Sequence, residues 1–468
     1  MTAVAPTSAE AQDPATVAGR EVARLRATFA TGRTRSLSWR RRQLRGIERL
    51  VGEREKELAE ALAADLGRPA HYAWLGDIAS TAAEAAYARR HLRKWMRRRS
   101  TTLPLSMLPG RGFYQYDPLG VVLVIGPWNY PVYLTLGPLV AAVAAGNTAV
   151  VKPSEHAPAT SALLAHLIPQ YLDPEAVSVL EGDAAVTQAI LGERVDLAFF
   201  TGGPAIGKKV MEAAAAHLTP VVLELGGKSP VVVTADADID VAARRIAWVK
   251  LMNSGQTCIA PDYVLVEESV KDRLVDGIVE ALEQFQIGEP AAQPIVNQRQ
   301  LDRLAPMLDG HGGRLAAGGR LGASGLSIEP TVLVDPAPDS AVMGDEIFGP
   351  ILPVLGVRSL DEAIDFVTAR PKPLGLYLFT GSRATRERVL AETSSGGVVV
   401  NHLAMHCLVP QLPFGGVGTS GMGAYHGEWG FQALSHRKAV LAKPAKPDPS
   451  LMYPPYGPRK MALLRRFF

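Results

Sequence analysis

The sequence predicts an α/β protein built on two parallel-sheet domains, and three observations carry that prediction. Short apolar runs rich in β-branched residues recur between residues 119 and 401, the signature of strands buried on both faces. Segments of helical period, roughly 8 to 15 residues each, separate those runs as βαβ units require. The chain has 468 residues, 47% hydrophobic and 20% charged, enough for more than one domain with a large core.

Composition excludes several classes. A formal net charge of +3 is small for this length and points to no nucleic-acid partner. The runs Arg40-Arg41-Arg42 and Arg97-Arg98-Arg99 read as solvated helix faces. Two cysteines make no disulfide framework and suit a reducing cytoplasm. Residues 1–16 lack a basic-then-apolar leader, and no stretch approaches the roughly 20 apolar residues that cross a bilayer. The histidines have no metal-ligand spacing, so no metal is expected.

Taken in order, residues 1–18 read as a mobile tail. Periodicity predicts amphipathic helices over 22–51 and 53–65 and a closely packed, Ala-lined helix over 73–95. Pro104, Pro109, Gly110 and Gly112 make residues 97–117 a loop or a projecting two-stranded arm. The first alternation places strands at 121–125, 148–151, 177–180, 196–200 and 221–225. The second places them at 231–234, 263–266, 331–334, 376–380 and 398–401. Residues 310–325 are glycine-rich hairpin punctuation. The Pro-rich tail ends in a basic, apolar octamer over 461–468, expected to pack on the surface or a partner subunit, with peripheral membrane contact as the other reading.

Open parallel sheets bind ligands beyond the carboxyl ends of their strands, and the distinctive residues lie there. The turn from Gly202 to Gly207, before a helix, offers backbone N–H groups to an anion, although glycine also ends strands for no other reason. Lys152 and Glu155 suit ribose hydroxyls, or else form a surface ion pair. Cys258 follows Asn253-Ser254-Gly255-Gln256-Thr257, between a helix over 238–252 and a strand, a setting for a thiol at a cleft mouth. As a nucleophile it needs a base and oxyanion donors, for which Glu224, the Asn129 amide and the Cys258 N–H are candidates. Glu224, between apolar residues, is otherwise a structural hydrogen-bond partner. Cys407, among apolar neighbours, reads as core.

Seven motifs in order, PWNYP (127–131), KPSE (152–155), FFTGG (199–203), LELGGKSP (223–230), NSGQTCIAPDY (253–263), EIFGPILPVL (346–355) and LPFGGVGTSGMGAYHG (412–427), resemble the aldehyde dehydrogenase superfamily and its class 3 branch over nearly the whole chain. The resemblance implies a Rossmann-type cofactor domain (19–96 and 118–225), a catalytic α/β domain (226–424), a β bridging arm (97–117 and 425–443) and a tail (444–468). It implies NAD, or NADP, as cofactor, a homodimer, and oxidation of an aldehyde to its acid through a thioester. Cys258 falls at the nucleophile, Glu224 at the base and Asn129 at the oxyanion donor. Trp128, Lys152, Glu155, Gly202, Gly207, Glu346 and Phe348 fall at cofactor contacts. Tyr130 and Met252 are expected as pocket walls for a medium- to long-chain aliphatic or an aromatic aldehyde. Gly203 replaces a Ser or Asn frequent in the family, and His402 an Asp of this branch, so His402 either alters the substrate mouth or faces solvent. The alternatives are an acylating relative using coenzyme A and a non-catalytic NAD-binding protein.

Overall fold

A computed structural model describes residues 13–286, 293–322 and 325–466. The first sheet runs in the order Gly421–Met422, Val221–Glu224, Leu197–Thr201, Val121–Ile125, Thr148–Lys152, Val177–Val179, parallel except for its first, two-residue strand. The chain leaves Val121–Ile125 toward both sides, so a switch point opens beside that strand, the place where such sheets hold ligands. Register aligns the strand ends: Ile125 lies opposite Lys152, and Thr201 opposite Glu224. Every residue of Val121–Ile125, Thr148–Lys152 and Leu197–Thr201 is buried, which is why these runs are continuously apolar rather than alternating. The helix Tyr133–Ala145 is buried along its whole length, and its all-round apolar sequence follows from that.

The second sheet runs Arg314–Ala317, Thr331–Val334, Ile351–Val357, Tyr263–Glu267, Pro230–Val233, Gly375–Phe379, Gly397–Val400, and only its first pair is antiparallel. The third sheet is antiparallel, with Arg111–Pro118 between Arg99–Thr101 and Ser435–Ala442.

Several expectations need correction. The tail expected over 1–18 lies outside the described residues up to position 12, but a helix begins at Pro14, capped by the Asp13 carboxylate, and Ala18 is fully buried. The helix expected over 22–51 is two, Pro14–Ala30 and Leu37–Glu53, separated at Gly32, whose φ of 76° ends the first. The strand Ile351–Val357 was not anticipated, yet it sits mid-sheet. Gly421–Met422, within the span expected for the catalytic half, joins the first sheet beside Glu224. Of residues 425–443, only Ser435–Ala442 is a strand of the arm; the helix Gly427–Ala433 buries Phe431 and meets the arm through Glu428, paired with Arg99, and through Phe431 against Tyr116.

Candidate active site

The helix Ile239–Leu251, capped by Asp238, delivers the chain to a turn in which three successive residues are left-handed: Asn253 at φ 52°, Ser254 at 50° and Gly255 at 69°. A side chain on Gly255 would overlap the carbonyl of Gly349, so glycine is dictated by backbone sign and by space together. The Gln256 amide locks the turn, donating to the carbonyls of Asn253 and Pro294 at 3.1 Å and accepting from Val296 N–H at 3.0 Å. Cys258, at the end of this turn, is half-buried. Burial pushes its thiol up, and Glu346, Cys407 and Glu224 push the same way, against a smaller opposing backbone hydrogen bond.

Asn129 is buried and donates Nδ2 to the Gln256 carbonyl at 3.1 Å, which commits one of its two amide hydrogens. Glu224 ends its strand with 3% exposure, and neither carboxyl oxygen has a hydrogen-bond partner among the described residues. Burial alone raises it well above the ordinary carboxyl range. It lies near enough to Cys258 to act on the thiol.

At the sheet edge, Lys152 is not free: Nζ donates to Glu155 Oε2 at 2.8 Å and to the Gly182 carbonyl at 2.6 Å. Burial works against ionised Glu155, but the Lys152 ammonium wins and holds it below the usual range. Gly207 sits where a Cβ would lie 2.7 Å from Leu225 Cδ2, so glycine lets the helix Pro204–Ala215 approach the sheet. Gly202 would crowd the Phe200 ring, whereas Gly203 has open space around it, so no packing requires glycine there. Gly203 caps that helix without a side-chain bond, and the Thr201 hydroxyl beside it has no partner among the described residues.

Glu346 and Phe348 face this edge from the second domain. The Glu346 carboxyl abuts Gly226, where any Cβ would collide with it, and accepts the Gly227 N–H. Burial and then Asp262 push it up to about 8. Phe348 is left-handed at φ 47° and meets the Trp128 ring edge-on at 5.4 Å, so aromatics flanking strands of the two parallel sheets come together. Sequence reasoning missed what holds this segment: Arg303 donates to the carbonyls of Glu346 at 3.1 Å and Ile347 at 2.7 Å. Asp262 accepts Ile347 N–H at 2.9 Å while paired with Lys228. The signal was present, since Lys228 and Asp262 both lie inside quoted motifs.

Among the pocket candidates, the Tyr130 hydroxyl pairs with Thr257 Oγ1 at 3.1 Å, next to Cys258. Met252 is half-buried at the helix end, just before the left-handed turn. His402 packs edge-on against Trp248 at 6.3 Å and bonds to the Leu403 backbone rather than facing solvent. Cys407 is half-buried against the main core, with its thiol pushed up to about 12 by burial.

The aldehyde dehydrogenase family model matches residues 7–440. The chain belongs to that family. It is 46% identical over 455 residues to aldehyde dehydrogenase family 3 member A2 of Mus musculus, covering 96% of this chain and 93% of that one. It is 45% identical to the dimeric NADP-preferring aldehyde dehydrogenase of Rattus norvegicus, with 94% and 98% covered. The substrate-bound structure of Staphylococcus aureus AldH superposes with a TM-score of 0.92 at 40% identity, over 96% and 98% of the two chains. An indole-3-acetaldehyde dehydrogenase of P. syringae, solved as a mutant in complex with NAD+, gives 0.84 at 29%, over 92% and 89%. The enzyme is therefore an NAD(P)-dependent oxidoreductase acting on aldehydes.

The residues present fit such a cofactor. The glycine turn opens a helix N-terminus at the switch point, the Glu155 carboxylate suits ribose hydroxyls, and Glu346 with the Trp128–Phe348 pair stands beside the nucleophile turn. No group of acidic, His and Cys side chains able to hold a metal occurs among the described residues, and no helix there is long and apolar enough to cross a membrane.

Proposed function

We propose that Cys258 is the nucleophile, Glu224 the deacylating base and Asn129 the oxyanion donor, in a site for medium- to long-chain aliphatic or aromatic aldehydes. The observation that carries this reading is Glu224: an unpartnered carboxyl, buried at a strand end and acting electrostatically on the only thiol at a motif-bearing turn. A carboxyl left without partners costs stability, and such costs concentrate where chemistry needs a base.

The thiol gives up its proton to water in the cleft as its sulfur adds to the aldehyde carbon, and the new alkoxide accepts from Asn129 Nδ2 and the Cys258 N–H. Bound nicotinamide supplies the hydride acceptor. As the carbon loses hydride and the oxygen reforms its double bond, a thioester remains on Cys258. Glu224, once ionised, removes a proton from water, the resulting oxygen attacks the thioester carbon, and the carboxylic acid leaves as the thiol is restored. A base aimed at water favours hydrolysis over transfer to coenzyme A.

Tyr130 and Met252 suit the pocket wall, and Lys152, Glu155, Gly202 and Gly207 the adenosine side. The Glu155 carboxylate favours an unphosphorylated 2′-hydroxyl, hence NAD over NADP. We assign the assembly as a cytoplasmic homodimer. The arm supports this, because Ser435–Ala442 is an edge strand and Leu105 and Leu441 on the arm are 77% and 52% exposed. The exposed tail over 443–466 is available to a partner subunit or an anionic membrane surface.

The test is formation of reduced nicotinamide with NAD and NADP in parallel across acetaldehyde, decanal, benzaldehyde and cinnamaldehyde, for wild type and Cys258→Ala. Wild type turns over the longer and aromatic members and Cys258→Ala is silent while still binding NAD. A Cys258→Ala variant with wild-type turnover removes the nucleophile assignment.

A further inference from the structure

Beneath Asn129 lies a buried ion pair that the chemistry above does not use. The helix Glu55–Leu66 ends at Gly67, whose left-handed φ of 59° turns the chain inward. Arg68, the next residue, is 1% exposed. Asp77, on the wide helical turn Trp74–Ile78, is fully buried and forms an ion pair with it. Both members also grip the segment that carries Asn129. Arg68 Nη2 donates to the Asn129 carbonyl at 2.5 Å. Asp77 Oδ1 accepts the N–H groups of Val132 at 3.0 Å and Tyr133 at 2.8 Å, the entry to the helix Tyr133–Ala145. Between those anchor points the Arg68 guanidinium lies 4.5 Å from the Tyr130 ring, and Gly76 is a glycine against which that ring packs, since a Cβ there would meet it at 2.8 Å.

The same carbonyl couples the pair to the nucleophile turn. Asn129 O accepts Asn253 Nδ2 at 3.1 Å beside Arg68, and Asn253 Nδ2 and Asn129 Nδ2 share the Gln256 carbonyl at 3.0 and 3.1 Å. Tyr130 closes a second link to that turn through Thr257. We propose that Arg68 and Asp77 are positioning residues, which fix residues 129–133 so that the second amide hydrogen of Asn129 is aimed at the oxygen of the attacked aldehyde. Stability alone does not call for a charged pair there, because well-packed apolar residues of similar volume serve as well or better in such positions. What apolar residues lack is a directed donor to a chosen carbonyl and a directed acceptor for two chosen N–H groups. A fixed donor is useful in the transition state because it needs no reorganisation as charge develops.

This inference rests on the assignment of Asn129 as oxyanion donor, and the experiment separates the two. Arg68→Met, Arg68→Lys and Asp77→Asn are made in wild type and in Asn129→Ala, and kcat, the KM for NAD and NAD affinity are measured for each. Arg68→Met is expected to lower kcat about 10- to 100-fold, the scale of a misplaced reacting group, while NAD affinity stays within about twofold. Arg68→Lys, which keeps a cationic donor, recovers most of the loss. In Asn129→Ala the same change costs less than about twofold, because the group it positions has gone. Equal losses in both backgrounds, or NAD affinity falling in step with kcat, assign the pair a merely structural role and overturn the proposal. Wild-type kcat in Arg68→Met also overturns it. Should Arg68→Met not fold, Asp77→Asn carries the same cycle with the same expected pattern, since it removes the charge that holds Arg68 while keeping an acceptor for the Val132 and Tyr133 N–H groups. Wild-type kcat in Asn129→Ala itself refutes the oxyanion assignment instead.

Discussion

Replacing Glu224 by Gln separates the two consequences of burying an unpartnered carboxyl. In the folded enzyme the group is held well above its ordinary value of 4.5 by desolvation alone, so the native state keeps a proton that the unfolded chain has released. A raised folded value contributes its stability below the unfolded pKa and loses it as pH climbs towards the folded one. Through that window wild type therefore loses about 1.4 kcal/mol per pH unit relative to Glu224→Gln, which does not titrate. With 468 residues and about 2.1 cal/mol/K of unfolding entropy per residue, roughly 1 kcal/mol moves Tm by 1 °C. The Tm of Glu224→Gln minus that of wild type should thus widen by roughly 1.5 °C per pH unit above pH 5, whatever its starting offset. In stopped-flow, the variant should release one equivalent of reduced nicotinamide per site and then stall about 10²- to 10⁴-fold slower, because acylation survives and the water-activating base is lost. A Tm difference flat with pH means the native carboxyl is already ionised. Steady turnover without a burst means that Glu224 does not activate water, and the reasoning fails.

Glu346 is pushed up to about 8, and its ionised form is the better acceptor for ribose hydroxyls, so the KM for NAD should fall severalfold between about pH 7 and 9; Glu346→Gln should flatten that dependence in initial-rate assays. Gly255→Ala places a Cβ at φ 69° against the Gly349 carbonyl, and should cost about 2 kcal/mol or more in denaturant melts and abolish turnover by displacing Cys258. Glu155→Gln should leave Lys152 a neutral acceptor in place of an anionic one and remove the charge facing a 2′-phosphate, raising kcat/KM for NADP about tenfold relative to NAD; an unchanged ratio would detach Glu155 from cofactor choice.

Strands were legible because burial on both faces leaves a continuous apolar run whose ends are sharp: Val121–Ile125 and Thr331–Val334 fall where the pattern places them. Ile351–Val357 escaped because Pro353 and Gly356 interrupt its run, although it pairs on both sides. Gly421–Met422 is two residues long and has no pattern to read; its pairing is set by Glu224 and Leu223 from nearly 200 positions away. The break at Gly32 was invisible because helical period continues across it. At the site, Cys258, Glu224 and Asn129 announced themselves through motifs, but Arg68 and Asp77 did not. Isolated charges in sequence read as surface, and only the tertiary fold shows that these two are buried against a backbone segment.

Burial comes first at Cys258, and the nearest acidic groups add to it. The strongest influences on Cys258 after burial are Glu346, Cys407 and Glu224, and all of them disfavour the thiolate. No histidine is among the influences on Cys258 from the described residues, and ionising either carboxyl raises the thiol further. Alkaline activation of this set is therefore self-limiting: each proton removed makes the next harder to remove, and the observed pH–rate limbs belong to the group rather than to any single residue. Two consequences follow from the geometry. A raised thiol has less thiolate at a given pH, so reactants that change the local charge raise its nucleophilicity. In the proposed mechanism the donors on Asn129 and at Cys258 are neutral, so they would stabilise the alkoxide without placing a cation beside the thiol. Holding those neutral donors still, rather than charging the site, is then the work left to the surrounding buried network.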